Sequence, residues 1–519
     1  MAAIVNIYQS GVRINELVCT TGDTIYKCLC AAGVIIEAPC GGNGRCGKCI
    51  VRLGQGGEYV LACRTIIEGD LDVYLLEKRE MIIAKSSIDS ASRSKAAQKH
   101  LRGLYQRLGV AVDVGTTTVV AHLIDIESGA RLTTASGVNS QNIYGADVIS
   151  RIQYCMDNGH ETLTRIIREQ LAMMINQMCA SLGTDAGGIE HITIAANTVM
   201  AHLVAGYSPK DMGVVPFSPV SLFGEVHPVW DGAPASKNAK VYYTPAISSY
   251  VGGDITAGIL ATGLESIAGP AIFLDIGTNG EIVLKYNGKY YCCATAAGPA
   301  FEGAEISMGM AAVSGAVEHI KWERKLELSV IGDSIPRGIC GSGLLDALAV
   351  LLEAGAVDET GRLLDPGEIK HDIASHIKKV NGENVFWLTK GANEISMTAT
   401  DIRKLQLAKA AIAAGIQTLL SHTELEETQV STFILAGGFG SFMDKHSAAR
   451  IGLFPECFLA VTKALGNTAG EGAVIAVHKK GARTTLENIR RHCEYIELST
   501  SVDFNEQFVE QMTFPGCGE

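Results

Sequence analysis

A chain of 519 residues that is 47% hydrophobic and 19% charged has material for several packed cores and lacks the composition of a disordered protein. Its net charge of −12, with 43 Lys and Arg against 55 Asp and Glu, offers no basic stripe for nucleic acid. No run approaches the length of a membrane span and MAAIVNIYQS lacks a signal-peptide profile, so the expected location is the cytoplasm, with no membrane partner.

The first elements read as a small mixed fold. AAIVNIY alternates like a strand, and GVRINELVC answers it as a hairpin arm. TTGDTIYKCLCAAGV reads as a capped helix, and KCIVRLG and LDVYLL supply further strands. Between them lies PCGGNGRCGKC, residues 39–49, with Cys40, Cys46 and Cys49 spaced C-x5-C-x2-C and Cys63 following in YVLACRT. The first histidine is His100, which disfavours mixed Cys/His zinc sites and a Rieske centre. Four-cysteine zinc and four-cysteine iron–sulfur sites remain.

Zinc sites favour two C-x2-C knuckles, and one is present. Gly41, Gly42, Gly44 and Gly47 let backbone amides turn toward sulfide where side chains would clash. The spacing lies one residue from the plant-type C-x4-C-x2-C run. A [2Fe–2S] cluster on Cys40, Cys46, Cys49 and Cys63 is the favoured reading, with zinc or [4Fe–4S] as the others. GGNGRCGKC is not a P-loop: Gly42-x4-Gly47-Lys48 matches, but Cys49 stands where Ser or Thr would hold Mg²⁺ and no helical pattern follows at once.

The segment 1–78 therefore looks like a β-grasp ferredoxin. Cys19, Cys28 and Cys30, outside the motif, read as buried thiols, since a reducing compartment argues against disulfides. Residues 79–106 are charged and rich in Ser and Ala, and read as a partly helical linker.

From Leu108 the pattern changes. LGVAVDVGTTTVVAHLIDIESG and AIFLDIGTNGEIVLKYNG share a strand, then Asp-x-Gly-Thr, then a second strand. Recurrence after about 160 residues predicts two related lobes, 107–270 and 271–480, each giving a hairpin to one site. Gly and Thr in such turns bring amide and hydroxyl donors to phosphate, and an aspartate at the strand end can hold the water shell of Mg²⁺ or orient a water.

ILAGGFGSF reads as a strand running into a backbone surface for adenosine. GICGSGLLDALAVLLEAG and LGNTAGEGAVIAVH begin amphipathic helices with small residues, which suits two helices crossing closely at a hinge. Residues 481–519 read as a C-terminal segment packing on the two lobes.

The five-part order across 107–480 resembles the acetate kinase, sugar kinase, Hsp70 and actin superfamily, with its two-lobed RNase H-like ATPase. The match implies that Asp113, Gly115, Thr116, Thr117, Asp275, Gly277, Thr278 and Asn279 line the phosphates. It also implies that Gly437, Gly438 and Phe439 hold the nucleoside, with Gly341 and Ser342 in the nucleotide-binding set. Joined to an N-terminal ferredoxin, this module is similar to the ATP-dependent reductive activators of corrinoid proteins. GTTTVVAHL, YVGGDITAG, DIGTNGEIVL, GPAFEGAEISMGM, LQLAKAAI and FVEQMTFP carry that likeness almost end to end.

The resemblance implies a multidomain α/β and α+β protein with a [2Fe–2S] cluster, ATP and Mg²⁺. Its activity would be ATP-dependent reduction of a Co(II) corrinoid protein to Co(I) for anaerobic methyl transfer. An electron donor is a further partner, and a homodimer is compatible with the family. The linker is too short for the extra module of some relatives, and Cys493 and Cys517 are too far apart for a C-terminal four-iron cluster, so one cluster is expected. A small-molecule kinase with a regulatory ferredoxin and an ATP-switched redox sensor are the rival readings.

Single residues divide in the same way. Asp254 is either a third carboxylate at the site or a helix N-cap, and Glu302 and Glu305 are a catalytic base or lobe-closure contacts. Lys409 either touches the nucleotide or lies on a solvated face. Leu163, Ile166, Ile167, Leu171, Met174, Ile175 and Met178 share a helix face and read as core or a dimer surface. His191 and His202 read as structural.

Overall fold

The computed structural model describes residues 2–9, 12–32, 34, 36, 49–54, 57–75, 107–389, 391, 394–440 and 442–516. Its N-terminal sheet is ordered Val12–Thr20, Ala2–Gln9, Leu71–Leu75, Ile50–Leu53, Tyr59–Leu61, with Ala2–Gln9 antiparallel to Val12–Thr20 and parallel to the central Leu71–Leu75. This is the β-grasp arrangement. Ala3, Val5 and Ile7 alternate inward as strand period requires, and meet Ile25 and Leu29 of the helix Ile25–Ala31. The Thr24 hydroxyl caps that helix by accepting from the Lys27 amide at 3.2 Å.

One expectation needs correcting here. Cys19 and Cys28 are buried, but they are not thiols: they form a disulfide, with Cα atoms 5.9 Å apart. The strand Val12–Thr20 and the helix each turn one cysteine into the same core, which places the pair in bonding range. Cys30 remains a thiol, pushed above its ordinary pKa by burial.

The rest of the chain builds two large sheets that share a five-strand topology, each with one further strand, at opposite edges. The first is ordered Val226–Pro228, Lys240–Tyr243, Ile189–Ala196, Leu108–Val114, Thr118–Asp125, Arg131–Val138. The second runs Thr462–Ala464, Thr432–Ala436, Ala271–Ile276, Gly280–Tyr286, Lys289–Thr295, Cys493–Tyr495. In each, a three-strand antiparallel meander that opens with an Asp-x-Gly-Thr strand pairs in parallel with a later strand. The sequence repeat is thus a structural repeat. The helix Glu161–Leu182 buries Leu163, Ile167, Leu171, Met174, Ile175 and Met178 in the first core, with Ile166 half-buried, so this face is core.

Two helices cross between the sheets, each packed on the sheet of the other half. Gly253–Thr262 lies on the second sheet through Ile255 and Ile259 against Phe273 and Val283. Thr468–His478 lies on the first through Ala469 and Ala473 against Ala111 and Ala195. At the crossing, a Cβ on Gly472 would sit 2.1 Å from the Ala257 carbonyl, so nothing larger than glycine fits. Small residues do permit the close crossing, but the partner differs from the predicted one. The helix Gly341–Glu353 packs on Ala316–Trp322 inside the second lobe, because its buried surface is apolar nearly all round.

Lobe 2 also carries two small three-stranded sheets and the long helix Ala399–His422. The helix Val502–Glu510 packs on this long helix, and Phe514 is buried in the same core. Among the described residues, no helix is long and apolar enough to cross a membrane.

Candidate nucleotide and redox sites

Both Asp-x-Gly-Thr turns sit at the ends of buried central strands. In the first, the turn's carbonyls are gripped from behind. The Asn139 amide side chain donates to the Gly115 carbonyl at 2.8 Å, its backbone N–H donates to Thr117 at 2.8 Å, and Arg151 donates to the Thr116 carbonyl at 2.6 Å. Asn197 donates to the Thr116 hydroxyl at 3.1 Å. Arg151 is fully buried and also donates to the Gly145 carbonyl at 2.9 Å and to Gln141 at 3.2 Å; desolvation lowers it to about 9. A buried planar guanidinium with several fixed acceptors is a rigid brace.

Carboxylates crowd the space between the hairpins. Burial and the charge of Asp254 raise Asp113 to about 7, against a 2.7 Å bond from the Asn467 amide. Asp275 rises to about 8 through burial, Asp254 and Asp113, and Asp254 to about 6 through burial. Glu281, which faces Asp275 across the hairpin, is pushed well up by burial and by the charges of Asp254 and Asp275, while the Asn279 side chain bonds it. These mutual shifts mark an electronegative pocket that no cation among the described residues offsets. Among the described residues, no three His, Cys, Asp or Glu side chains close tightly enough to cage a metal ion by themselves.

The other nucleotide-binding candidates converge on the same cleft. Gly437 has φ of +87°, and a Cβ there would lie 2.4 Å from the Asp275 carboxylate, so the Gly437–Gly440 loop passes directly against the second aspartate. The Phe439 ring stacks on Phe301 at 5.3 Å, and Gly341 packs against the Phe301 carbonyl and the Phe439 ring. Gly277 and Gly438 border open space, and Ser342 is buried with its hydroxyl 3.4 Å from the Cys340 sulfur. Thr117 and Thr278 each donate to Glu302 at 2.9 Å.

Lys409 is not brought to the nucleotide loops, nor is it solvated. It is 1% exposed, donates to the Thr513 carbonyl at 2.8 Å, lies over the Phe514 ring and falls to about 8 through burial. Asp254 lies in the first turn of its helix without capping it; its carboxylate accepts from the Ile255 amide at 2.9 Å. Glu305 stands at φ of +63°, with its carbonyl held by Lys404. His202 donates to the Thr198 carbonyl and accepts from Val220, a structural role, and His191 is half-buried beside Glu190.

Of the cluster cysteines, Cys40 and Cys46 lie outside the described residues. The other two meet: the Cys49 and Cys63 sulfurs are 3.1 Å apart, and the Cys63 amide points at the Cys49 sulfur at 3.5 Å.

Sequence reasoning missed Glu281, Arg151, Asn139, Asn197, Phe301 and Asn467. Glu281 had a signal: it stands six residues after Asp275, where the first repeat has Val119, so matching the repeats concealed it. Asn467 caps the helix Thr468–His478, a sufficient role that gives no hint of its second bond.

Two lobes that share a five-strand topology, closing on paired Asp-x-Gly-Thr hairpins and joined through crossed helices, define an actin-like ATPase, here carrying an N-terminal β-grasp domain. Residues 108–267 match the RACo middle region, and residues 269–519 match the C-terminal domain of RACo, the ASKHA domain. The chain belongs to the RACo family. It is 31% identical to the corrinoid activation enzyme RamQ of Eubacterium limosum, over 96% of this chain and 98% of that one. It is 24% identical to the [Co(II) methylated amine-specific corrinoid protein] reductase of Methanosarcina barkeri, over 78% and 77%. The solved structure of a reductive activator for corrinoid, iron–sulfur protein superposes with a TM-score of 0.70 at 30% identity, covering 99% of each chain.

Proposed function

We propose that this protein is an ATP-dependent reductive activator that passes one electron to an inactive Co(II) corrinoid protein and returns it to Co(I) for anaerobic methyl transfer. The observation that carries the reading is the union, in one chain, of a carboxylate-lined cleft between twin phosphate hairpins and a β-grasp domain in which Cys49 and Cys63 meet at 3.1 Å. The relatives' names point to the same substrate class. We divide the work among residues 1–78 as electron carrier, 79–106 as connector, 107–270 and 271–480 as lobes, and 481–519 as the segment closing the second lobe. The setting is cytoplasmic, with an upstream one-electron donor as second partner.

Cys49 and Cys63, with Cys40 and Cys46 from the glycine-rich segment, fit a [2Fe–2S] cluster: two thiols in contact, with an amide aimed at one sulfur. When bound, such a cluster supplies a low-potential one-electron carrier, near −400 mV for the plant type. The nucleotide cleft fits Mg²⁺ with ATP. Its donors are oxygen, and its open carboxylate arrangement suits an ion that keeps several waters and shares phosphates. Asp113 and Asp275 would hold that water shell, with Asp254 and Glu281 as the neighbouring carboxylates. Thr116, Thr117 and Thr278 offer hydroxyls to phosphate, and Gly437, Gly438 and Phe439 carry the nucleoside.

The raised aspartates support a role for a cation in drawing the hairpins together. The four buried carboxylates repel one another; a bound cation would offset that repulsion and let them draw the two hairpins together, with the crossed helices placed to carry the motion between lobes. Closure is how ATP can assist an electron transfer that is unfavourable by itself.

The test is anaerobic. Reduced protein is mixed with a Co(II) corrinoid protein of the same organism, and the Co(I) spectrum is followed with and without MgATP. Co(I) should appear only with ATP and be lost in Asp113→Ala and Cys49→Ala. Turnover of ATP without Co(I) across a panel of corrinoid proteins, or driven instead by a sugar or acid acceptor, would overturn the assignment.

A further inference from the structure

The turn GPAFEG, residues 298–303, touches both Asp-x-Gly-Thr hairpins and the loop that carries Phe439. Its short helical turn Pro299–Glu302 is bracketed by Gly298 and Gly303 at φ of 75° and 74°, which set it at a fixed angle to the chain on either side. Phe301 is 1% exposed and stacks on Phe439 of the adenosine loop with an interplanar angle of 14°. The next residue, Glu302, reaches both phosphate hairpins. One oxygen accepts from the Thr117 hydroxyl and the other from the Thr278 hydroxyl, each at 2.9 Å. Thr117 belongs to the first hairpin and Thr278 to the second, so a single carboxylate spans the cleft.

A carboxylate that offers two oxygens to hydroxyls on opposite walls presents the acceptors that phosphate oxygens would present there. We propose that Glu302 is an internal stand-in for nucleotide phosphate: in the nucleotide-free protein it clasps Thr117 to Thr278, and incoming phosphate must displace it. This rests on the reading above that these threonines line the phosphates. It also separates Glu302 from a general-base role in this state, because both of its oxygens are engaged. Burial raises the Glu302 pKa and outweighs the two hydroxyl bonds, which pull it down, so the case for the clasp rests on its geometry.

The clasp has a second consequence. Phe301 and Glu302 are consecutive on one rigid turn, so displacing the carboxylate from the phosphate seat also moves the ring that supports Phe439. Phosphate arrival is thereby felt at the adenosine loop.

The experiment is a calorimetric titration of MgATP into the full chain as wild type, Glu302→Gln and Glu302→Ala, with Glu305→Gln as a neighbouring control. Two hydrogen bonds to a carboxylate no longer have to be broken in the alanine variant, so ATP should bind about tenfold more tightly than to wild type. Glutamine, which keeps the volume but loses the charge, should fall between, and it carries the test if the alanine variant fails to fold. Unchanged affinity in the variants refutes the stand-in. Weaker binding refutes it too, and makes Glu302 a direct ligand. If wild type itself binds no nucleotide, the phosphate seat is what fails.

Discussion

Replacing Asp275 by asparagine should stabilise the nucleotide-free, metal-free protein, and do so only above mildly acidic pH. The carboxyl rises from 3.8 to about 8 because it is buried beside Asp254 and Asp113. An acid raised in the folded state contributes stability that is full below its unfolded pKa, near 4, and is lost as pH climbs through about 8. At about 1.4 kcal/mol per pH unit, that interval sets a ceiling of about 6 kcal/mol. Part of the shift belongs to Asp113 and Asp254, which titrate with it, so the gain for one substitution should be roughly 2–3 kcal/mol at pH 8.5. For a lobe of about 200 residues this is a rise in Tm of about 5–10 °C. Thermal unfolding followed through Trp322 and Trp387, both in lobe 2, reads it directly. The advantage should vanish near pH 4 and reverse when MgATP is present, because only wild type gains from the cation. Equal melting at pH 8.5, or an advantage independent of pH, would refute the account of the cleft as an uncompensated carboxylate cluster.

Other substitutions probe the frame around that cleft. Arg151→Lys removes the planar fork that holds the Thr116 and Gly145 carbonyls, and should weaken MgATP binding at least tenfold in titration calorimetry while lowering Tm. Gly472→Ala forces a Cβ into the Ala257 carbonyl and should cost about 2–4 kcal/mol in denaturant unfolding, with ATP turnover reduced beyond what lost fold accounts for. Cys49→Ser should abolish the visible absorption of the reconstituted protein and leave MgATP affinity unchanged.

Much of this was legible because it is local and repeated. Two Asp-x-Gly-Thr strands with alternating neighbours announce two hairpins, and AAIVNIY announces a strand, since each pattern follows from backbone period alone. What escaped depends on distance in the fold. Arg151 reads as an ordinary charge on an amphipathic helix until 140–145 and 116 are seen around its guanidinium. Lys409 reads as a surface residue because the segment that buries it arrives a hundred residues later. The exchange of the crossing helices was invisible for a related reason. Gly253–Thr262 and Gly341–Glu353 are both small at the start and apolar along their length, and only the sheet each one covers distinguishes them. Cys19 and Cys28 show the limit of an argument from compartment, which speaks to the population of cysteines and not to two that a strand and a helix bring together.

The order of synthesis gives the far end of the chain a meaning of its own. Lys289–Thr295 takes its parallel neighbour from Cys493–Tyr495, roughly two hundred residues downstream, and the core under Ala399–His422 waits for Phe514. A ribosome still holding those residues has the β-grasp domain and the first lobe's sheet in hand, and a second lobe with an unpaired edge and an open core. Even the first lobe lacks the helix Thr468–His478 that covers its inner face. Nascent chains can therefore fold the β-grasp sheet well before they complete the nucleotide cleft, and the two parts of the molecule come into being at separate moments.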